Sequence, residues 1–205
     1  MNIFTIGNKF ALWNNKALQS VVERVDPYNP LGLPPNTIRC KFASGNEPWY
    51  GDTQTLVDST NNIWDIYLAS NDWSYQLYFQ YDDLLEVLGA NTTNVTNMDG
   101  LFNYCPSLTS VSLFDTSNVT SMNSMFYECE SLTSIPLFNT SKATNMDSMF
   151  GNCINVQSGA LALYQQASTQ TTPPTYHYAT FYNCGSNTQT GTAELALIPS
   201  DWKDT

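Results

Sequence analysis

The sequence predicts an α/β solenoid, a stack of 24-residue turns that each contribute a strand and a short helix, preceded by an N-terminal β-containing anchoring and capping segment. Two observations carry this. One phrase occurs three times: Val95-Thr-Asn-Met98-Asp-Gly-Leu101-Phe102-Asn-Tyr-Cys105, Val119-Thr-Ser-Met122-Asn-Ser-Met125-Phe126-Tyr-Glu-Cys129 and Ala143-Thr-Asn-Met146-Asp-Ser-Met149-Phe150-Gly-Asn-Cys153, with the cysteines 24 residues apart. A fixed period in this range marks an architecture in which each repeat buries its apolar edge against its neighbours. Within the phrase, Val119, Met122, Met125, Phe126 and Cys129 follow a 3–4 spacing, as on one face of a short helix. Ser117 or Asn118 is its natural N-cap.

The elements follow in order. Residues 1–58 form an anchoring or oligomerisation segment and 59–205 the solenoid, with degenerate capping turns over 60–90, regular repeats over 91–163 and an interrupted C-terminal turn over 164–205. The run Val21-Val22-Glu-Arg-Val25 is helix or strand, and Asp26–Pro35 is an extended connector, because its prolines fix φ and remove donors. Ile38, Cys40 and Phe42 alternate as on a half-buried strand, as do the apolar residues of Ile63–Leu68. Subtracting 48 from the second phrase puts Leu77 where Met125 stands, so residues 71–80 are expected to be a short helix.

After each phrase comes Leu132-Thr-Ser-Ile135-Pro-Leu137 or its equivalent, with the L-x-x-L-x-L offsets of a short leucine-rich-repeat strand. Thr116 and Thr140 follow, and their hydroxyls are expected to bond backbone groups between turns. Leu161 keeps register with Leu113 and Leu137, but the next Phe-x-x-Cys, Phe181–Cys184, arrives seven residues late, which puts a loop within 168–178. Glu194–Pro199 reads as a last strand.

Composition narrows the function. The chain has 205 residues, a formal net charge of −11 and only seven Lys and Arg, so no basic patch can neutralise nucleic-acid phosphates or an anionic membrane. No apolar stretch is long enough to span a bilayer, and the N-terminus lacks the pattern of a signal peptide. Charged residues are only 12%, and Ser, Thr and Asn supply the polar surface, as suits hydrogen bonding in assemblies.

The composite phrase resembles the BspA-like leucine-rich repeats of bacterial surface proteins, mycoplasma-type lipoproteins and proteins of gut bacteria and their phages. The likeness covers residues 84–163 directly. The openings Ile6–Asn15 and Asp26–Pro35 resemble short proteins of gut-bacterial phages. The resemblance implies a non-catalytic interaction module whose surface members bind host or bacterial partners.

Cys105, Cys129, Cys153 and His177 have the residue types of a metal site but not its spacing, since zinc pairs stand two to four residues apart. Met98, Phe102, Cys105, Met122, Phe126, Cys129, Met146, Phe150 and Cys153 are instead expected to be the structural core ladder. His177, the only histidine, has no nucleophile motif beside it, so no catalytic residue, metal or cofactor is expected. Tyr176, His177 and Tyr178 are the candidate recognition loop. The expected function is a structural or binding component of a phage virion (fibre, decoration or tail-associated protein), homo-oligomeric, whose partners are other virion proteins or a bacterial surface receptor, protein or glycan. The alternative is a bacterial cell-surface adhesin-like protein.

Overall fold

The computed structural model describes residues 3–6, 9–12, 26–43, 52–75 and 83–204. The Val21–Val25 run and the alignment of Leu77 with Met125 lie outside them. Strands β1 (Ile3–Ile6) and β2 (Lys9–Leu12) pair antiparallel. The other strands are β3 (Thr37–Phe42), β4 (Thr53–Asp58), β5 (Ile63–Tyr67), β6 (Leu84–Asn91) and β7 (Ser110–Val111). They make one mixed sheet in the order β4-β5-β3-β6-β7, antiparallel except for the parallel β6–β7 pair. Two short helices follow, α1 (Ala160–Thr169) and α2 (Gln189–Ala196), and a 3-10 turn at Ser200–Trp202.

The sheet is built as the alternation in β3 dictates. Ile38, Cys40 and Phe42 are buried on one face. On the other, the Arg39 guanidinium holds Asp65 by two bonds of 2.6 and 2.7 Å, and Lys41 Nζ meets Glu86 at 2.6 Å. Period-two patterning thus separates the core face from an ion-paired face. The sheet takes β3 and β4 from the first 58 residues and β5 to β7 from the remainder.

The expected fold class is corrected here. The structure is not an α/β solenoid with a strand and a helix in every turn: among the described residues the regular elements are the β1–β2 pair, one five-stranded sheet and two short helices, no helix recurs with the 24-residue period, and the strand does so once, where Glu86 of β6 pairs with Ser110 of β7. Among the described residues the three phrases contain turns and isolated bridges only. Residues 71–75 of the expected 71–80 helix are likewise bridge and turn, and 76–80 lie outside the described residues. The strand expected at 194–199 is instead the end of α2 and the turn after it, and Leu161 lies in α1 rather than in a strand.

The hydrogen bonds give the reason. A helix would send each amide to the carbonyl four residues back. Here the amides of Met122, Ser124, Phe126 and Glu128 donate to the carbonyls of Asn145, Asp147, Met149 and Gly151 in the next copy, at 2.8–2.9 Å. The intervening amides of Met125, Tyr127 and Cys129 donate three residues back, to Met122, Ser124 and Phe126. Residues at left-handed φ reset the chain between these bonds: Gly100, Ser124, Ser148 and Ala179 in one position of the phrase, Tyr104, Glu128, Asn152 and Asn183 four residues later. The 3–4 spacing is therefore real, but it belongs to stacked turns that share their donors with the neighbouring copy.

A second ladder runs through the other half of each copy. The Thr109 amide donates to Leu85 O in β6, Thr133 to Thr109 O and Gln157 to Thr133 O. This ladder ends where Gly159, at φ 101, turns the chain into α1; a Cβ there would lie 2.3 Å from Ile135 O. Helix α2 begins at Thr188, whose hydroxyl accepts from the Gly191 amide at 2.9 Å, an ordinary N-cap.

Candidate functional site

The repeated side chains form columns. Phe102, Phe126, Phe150 and Phe181 stack with centroids 5.2, 5.1 and 6.2 Å apart and planes within 19°. Met98, Met122 and Met146, and Cys105, Cys129 and Cys153, are buried beside them. The Sγ of Cys129 lies 3.2 Å from Phe102 O, and that of Cys153 lies 3.1 Å from Phe126 O. Burial pushes the Cys40, Cys105 and Cys153 thiols well up, and Cys184 to about 12. Thiols held neutral in this way are core groups, because the thiolate is the form that attacks or ligates. Among the described residues no group of three His, Cys, Asp or Glu is disposed to hold a metal ion.

A tryptophan stands at each end of the methionine column. The Trp73 amide donates to Asn97 O just as the Met98 amide donates to Ser121 O, so Trp73 stands in the methionine position one turn earlier, fully buried. At the far end Trp202 stacks on His177 at 4.3 Å and on Phe181 at 6.3 Å, and meets Tyr164 of α1 edge-on at 5.4 Å. The threonines form a polar column. Thr92 donates to Asp115 O and Thr116 to Asn139 O, while Thr140 meets Gln170 Oε1. Gln166 and Gln170 then donate to Phe138 O and Thr140 O, completing the last turn with side-chain amides.

Residues 176–178 lie in this ladder rather than in a free loop. The carbonyls of Tyr176 and Tyr178 accept from the Met146 and Ser148 amides, and the Tyr178 amide donates to Asp147 Oδ1 at 2.6 Å. His177 therefore occupies the methionine position of the fourth copy, and its Nδ1 is buried without a hydrogen-bond partner. The side chains of Tyr176 and Tyr178 are 58% and 56% exposed. The inserted residues form α1 and the link after it.

A different set of exposed groups comes together on the edge of the turns. Two positions between Phe and Cys of each copy carry Asn103-Tyr104, Tyr127-Glu128, Gly151-Asn152 and Tyr182-Asn183; Tyr104, Tyr182 and Asn183 are exposed, Asn103, Tyr127, Glu128 and Asn152 half-buried, and Gly151 buried. Tyr104 meets Tyr127 edge-on at 5.7 Å. The Tyr127 ring lies over Gly151, where a Cβ would come within 2.8 Å of its Cδ2. Asn152 Nδ2 donates to the Tyr127 hydroxyl at 3.3 Å, and Asn183 Nδ2 to Asn152 Oδ1 at 3.1 Å. Burial, with the neighbouring Glu128 carboxylate, raises the Tyr127 phenol above its usual range. The edge runs into a cleft of about 380 Å³ lined by Tyr182, Asn183, Thr192, Leu195, Lys203 and Asp204. Sequence reasoning missed this edge. Its signal is the Tyr at one of the two positions between Phe and Cys in three of four copies.

Residues 76–189, more than half of the chain, match the family described as "Mycoplasma protein of unknown function, DUF285". The chain belongs to the DUF285 family. The DUF285 region takes in all three phrases, α1 and the Phe181–Cys184 copy, and it contains the whole tyrosine and asparagine edge. No curated protein and no solved structure matches the chain.

Proposed function

We propose that this DUF285 protein is a non-catalytic binding and assembly module, displayed on a phage particle as a fibre, decoration or tail-associated protein. The observation that carries the reading is the division of labour in each copy. The Cys, Met and Phe of the repeated phrase are consumed in buried columns, with His177 half-buried at their end, while the variable positions beside them carry amides, hydroxyls and tyrosines along an edge. Such groups suit recognition through hydrogen bonds and ring contacts. The likeness of the phrases to BspA-like repeats, and of Ile6–Asn15 and Asp26–Pro35 to short phage proteins, supports the placement on a particle, as does a surface rich in Ser, Thr and Asn. Partners are other virion proteins or a receptor on the bacterial surface, and the chain assembles as a homo-oligomer. The test is peptide mass spectrometry of purified particles from the source. Peptides of this chain at stoichiometric abundance are expected, and particles without it would overturn the placement. A cell-surface adhesin is the second reading, favoured by the family description, which names a bacterium. Immunolabelling of intact cells distinguishes it.

A further inference from the structure

We infer that the edge formed by Tyr104, Tyr127, Asn152, Tyr182 and Asn183 is a binding site for an uncharged oligosaccharide, with one end of the chain seated in the cleft beside α2. The inference rests on the reading above that the protein is a binding module, and names the ligand class of its exposed edge.

Three features of the edge select this chemistry. The first is amphipathic shape. Tyr104 is 46% exposed and Tyr182 37%, and each offers a ring for the C–H face of a pyranose and a hydroxyl for its rim. The second is hydrogen bonding by uncharged groups. Asn152 and Asn183 bring amides that both donate and accept, which suits the paired donor and acceptor character of sugar hydroxyls. The cleft's cation, Lys203, already donates to Leu195 O at 2.9 Å, and the carboxylates of Asp204 in the cleft and Glu128 beside Tyr127 would repel an anionic polymer. The third is size. The edge is two residues wide and four turns long, and at ~4.8 Å per hydrogen-bonded step it spans roughly 15 Å. An edge two residues wide and that long offers much less area than the ~800 Å² per partner of a standard protein interface, but fits a narrow linear chain. Tyr127 is preorganised for the task, with one ring face on Gly151 and its hydroxyl held by Asn152.

The full chain is run by native electrophoresis through gels holding a soluble neutral glucan, mannan or galactan, with polygalacturonate as the charged comparison. Retardation by at least one neutral polymer is expected, and none by polygalacturonate. Tyr182→Ala should weaken it about three- to ten-fold, the range of one lost aromatic contact. Gly151→Ala should weaken it as well, by lifting Tyr127 off its seat without touching the ligand. Tyr67→Ala, on β5 away from the edge, should leave it unchanged. No retardation by any neutral polymer, or equal retardation of wild type and both edge variants, overturns the inference; should one variant melt early, the other decides. Adhesion of the protein to bacterial cells that survives periodate treatment of the cells but not protease also overturns it. That result would leave the binding-module reading standing, with a protein partner in place of a sugar.

Discussion

The imidazole of His177 lies flat on the indole of Trp202, with centroids 4.3 Å apart and planes 5° from parallel. His177 stands where Met98, Met122 and Met146 stand in the earlier copies, so Trp202 is the lid of that column. Trp202→Ala uncovers His177, Phe181 and Tyr164 together and should destabilise by about 3–5 kcal/mol, read as a fall in the denaturation midpoint. His177→Met restores the repeated residue and removes a buried nitrogen without a partner. It should hold or raise stability, because an unpaired buried polar group costs ~1–3 kcal/mol. A large loss in that variant would show that the imidazole has a role beyond packing.

Phe126 stacks between Phe102 and Phe150 and also meets Phe138 at 5.9 Å. Phe126→Ala should cost roughly 3–5 kcal/mol, a large part of the 5–15 kcal/mol typical of a domain. Chemical denaturation measures it, and a midpoint equal to wild type would refute the buried assignment.

The left-handed positions make a prediction of opposite sign. Ser124 and Glu128 sit at φ 52 and 59, where a Cβ costs about 1–2 kcal/mol. Glu128→Gly should therefore raise the melting temperature, offset in part by the greater freedom of glycine in the unfolded chain. Ser124→Val, β-branched at the same φ, should lower it.

Alkaline pH should weaken the fold through its thiols. Burial raises Cys40, Cys105, Cys153 and Cys184 in the folded state, so the unfolded chain loses its thiol protons first. Stability is then whole below the unfolded thiol pKa of ~8.5 and falls as pH rises above it. For Cys184 the fall continues to about 12. The slope is at most ~1.4 kcal/mol per pH unit for each thiol. Cys184→Ala should flatten it, as melting curves at pH 7 to 10 would show.

The parts of the molecule differ in how far their sequence predicts them. Periodicity locates the buried residues, since Met122, Phe126 and Cys129 recur wherever a side chain meets its copy. It does not fix how the backbone travels between them. The same 3–4 spacing serves a helix or a run of turns, and the choice lies in whether the Phe126 amide bonds within its own copy or with Met149 of the next. Residues such as Ser124 and Glu128 give little warning of left-handed φ, because neither is glycine. The seven-residue delay before Cys184 marks an insertion, yet not that it would fold as α1 and supply Gln166 and Gln170 to the last threonine. The break in the phrase draws attention to Tyr176, His177 and Tyr178, while Tyr104, Tyr127 and Tyr182 lie in its variable positions, where the period gives no signal.

The constant offset between bonded copies has a consequence for the history of the chain. Thr96, Thr120 and Thr144 are joined amide to carbonyl in sequence, and the Tyr176 amide follows on Thr144 O. Removing residues 119–142 in frame would bring Ala143 against Thr116 and Ser117 in the place Val119 now holds, with each remaining donor facing an acceptor of the same kind. Replication slippage can therefore shorten or lengthen such a protein by one unit without a folding penalty at the seam. Such an event would leave Trp73 and Trp202 in place and change only the number of steps between them.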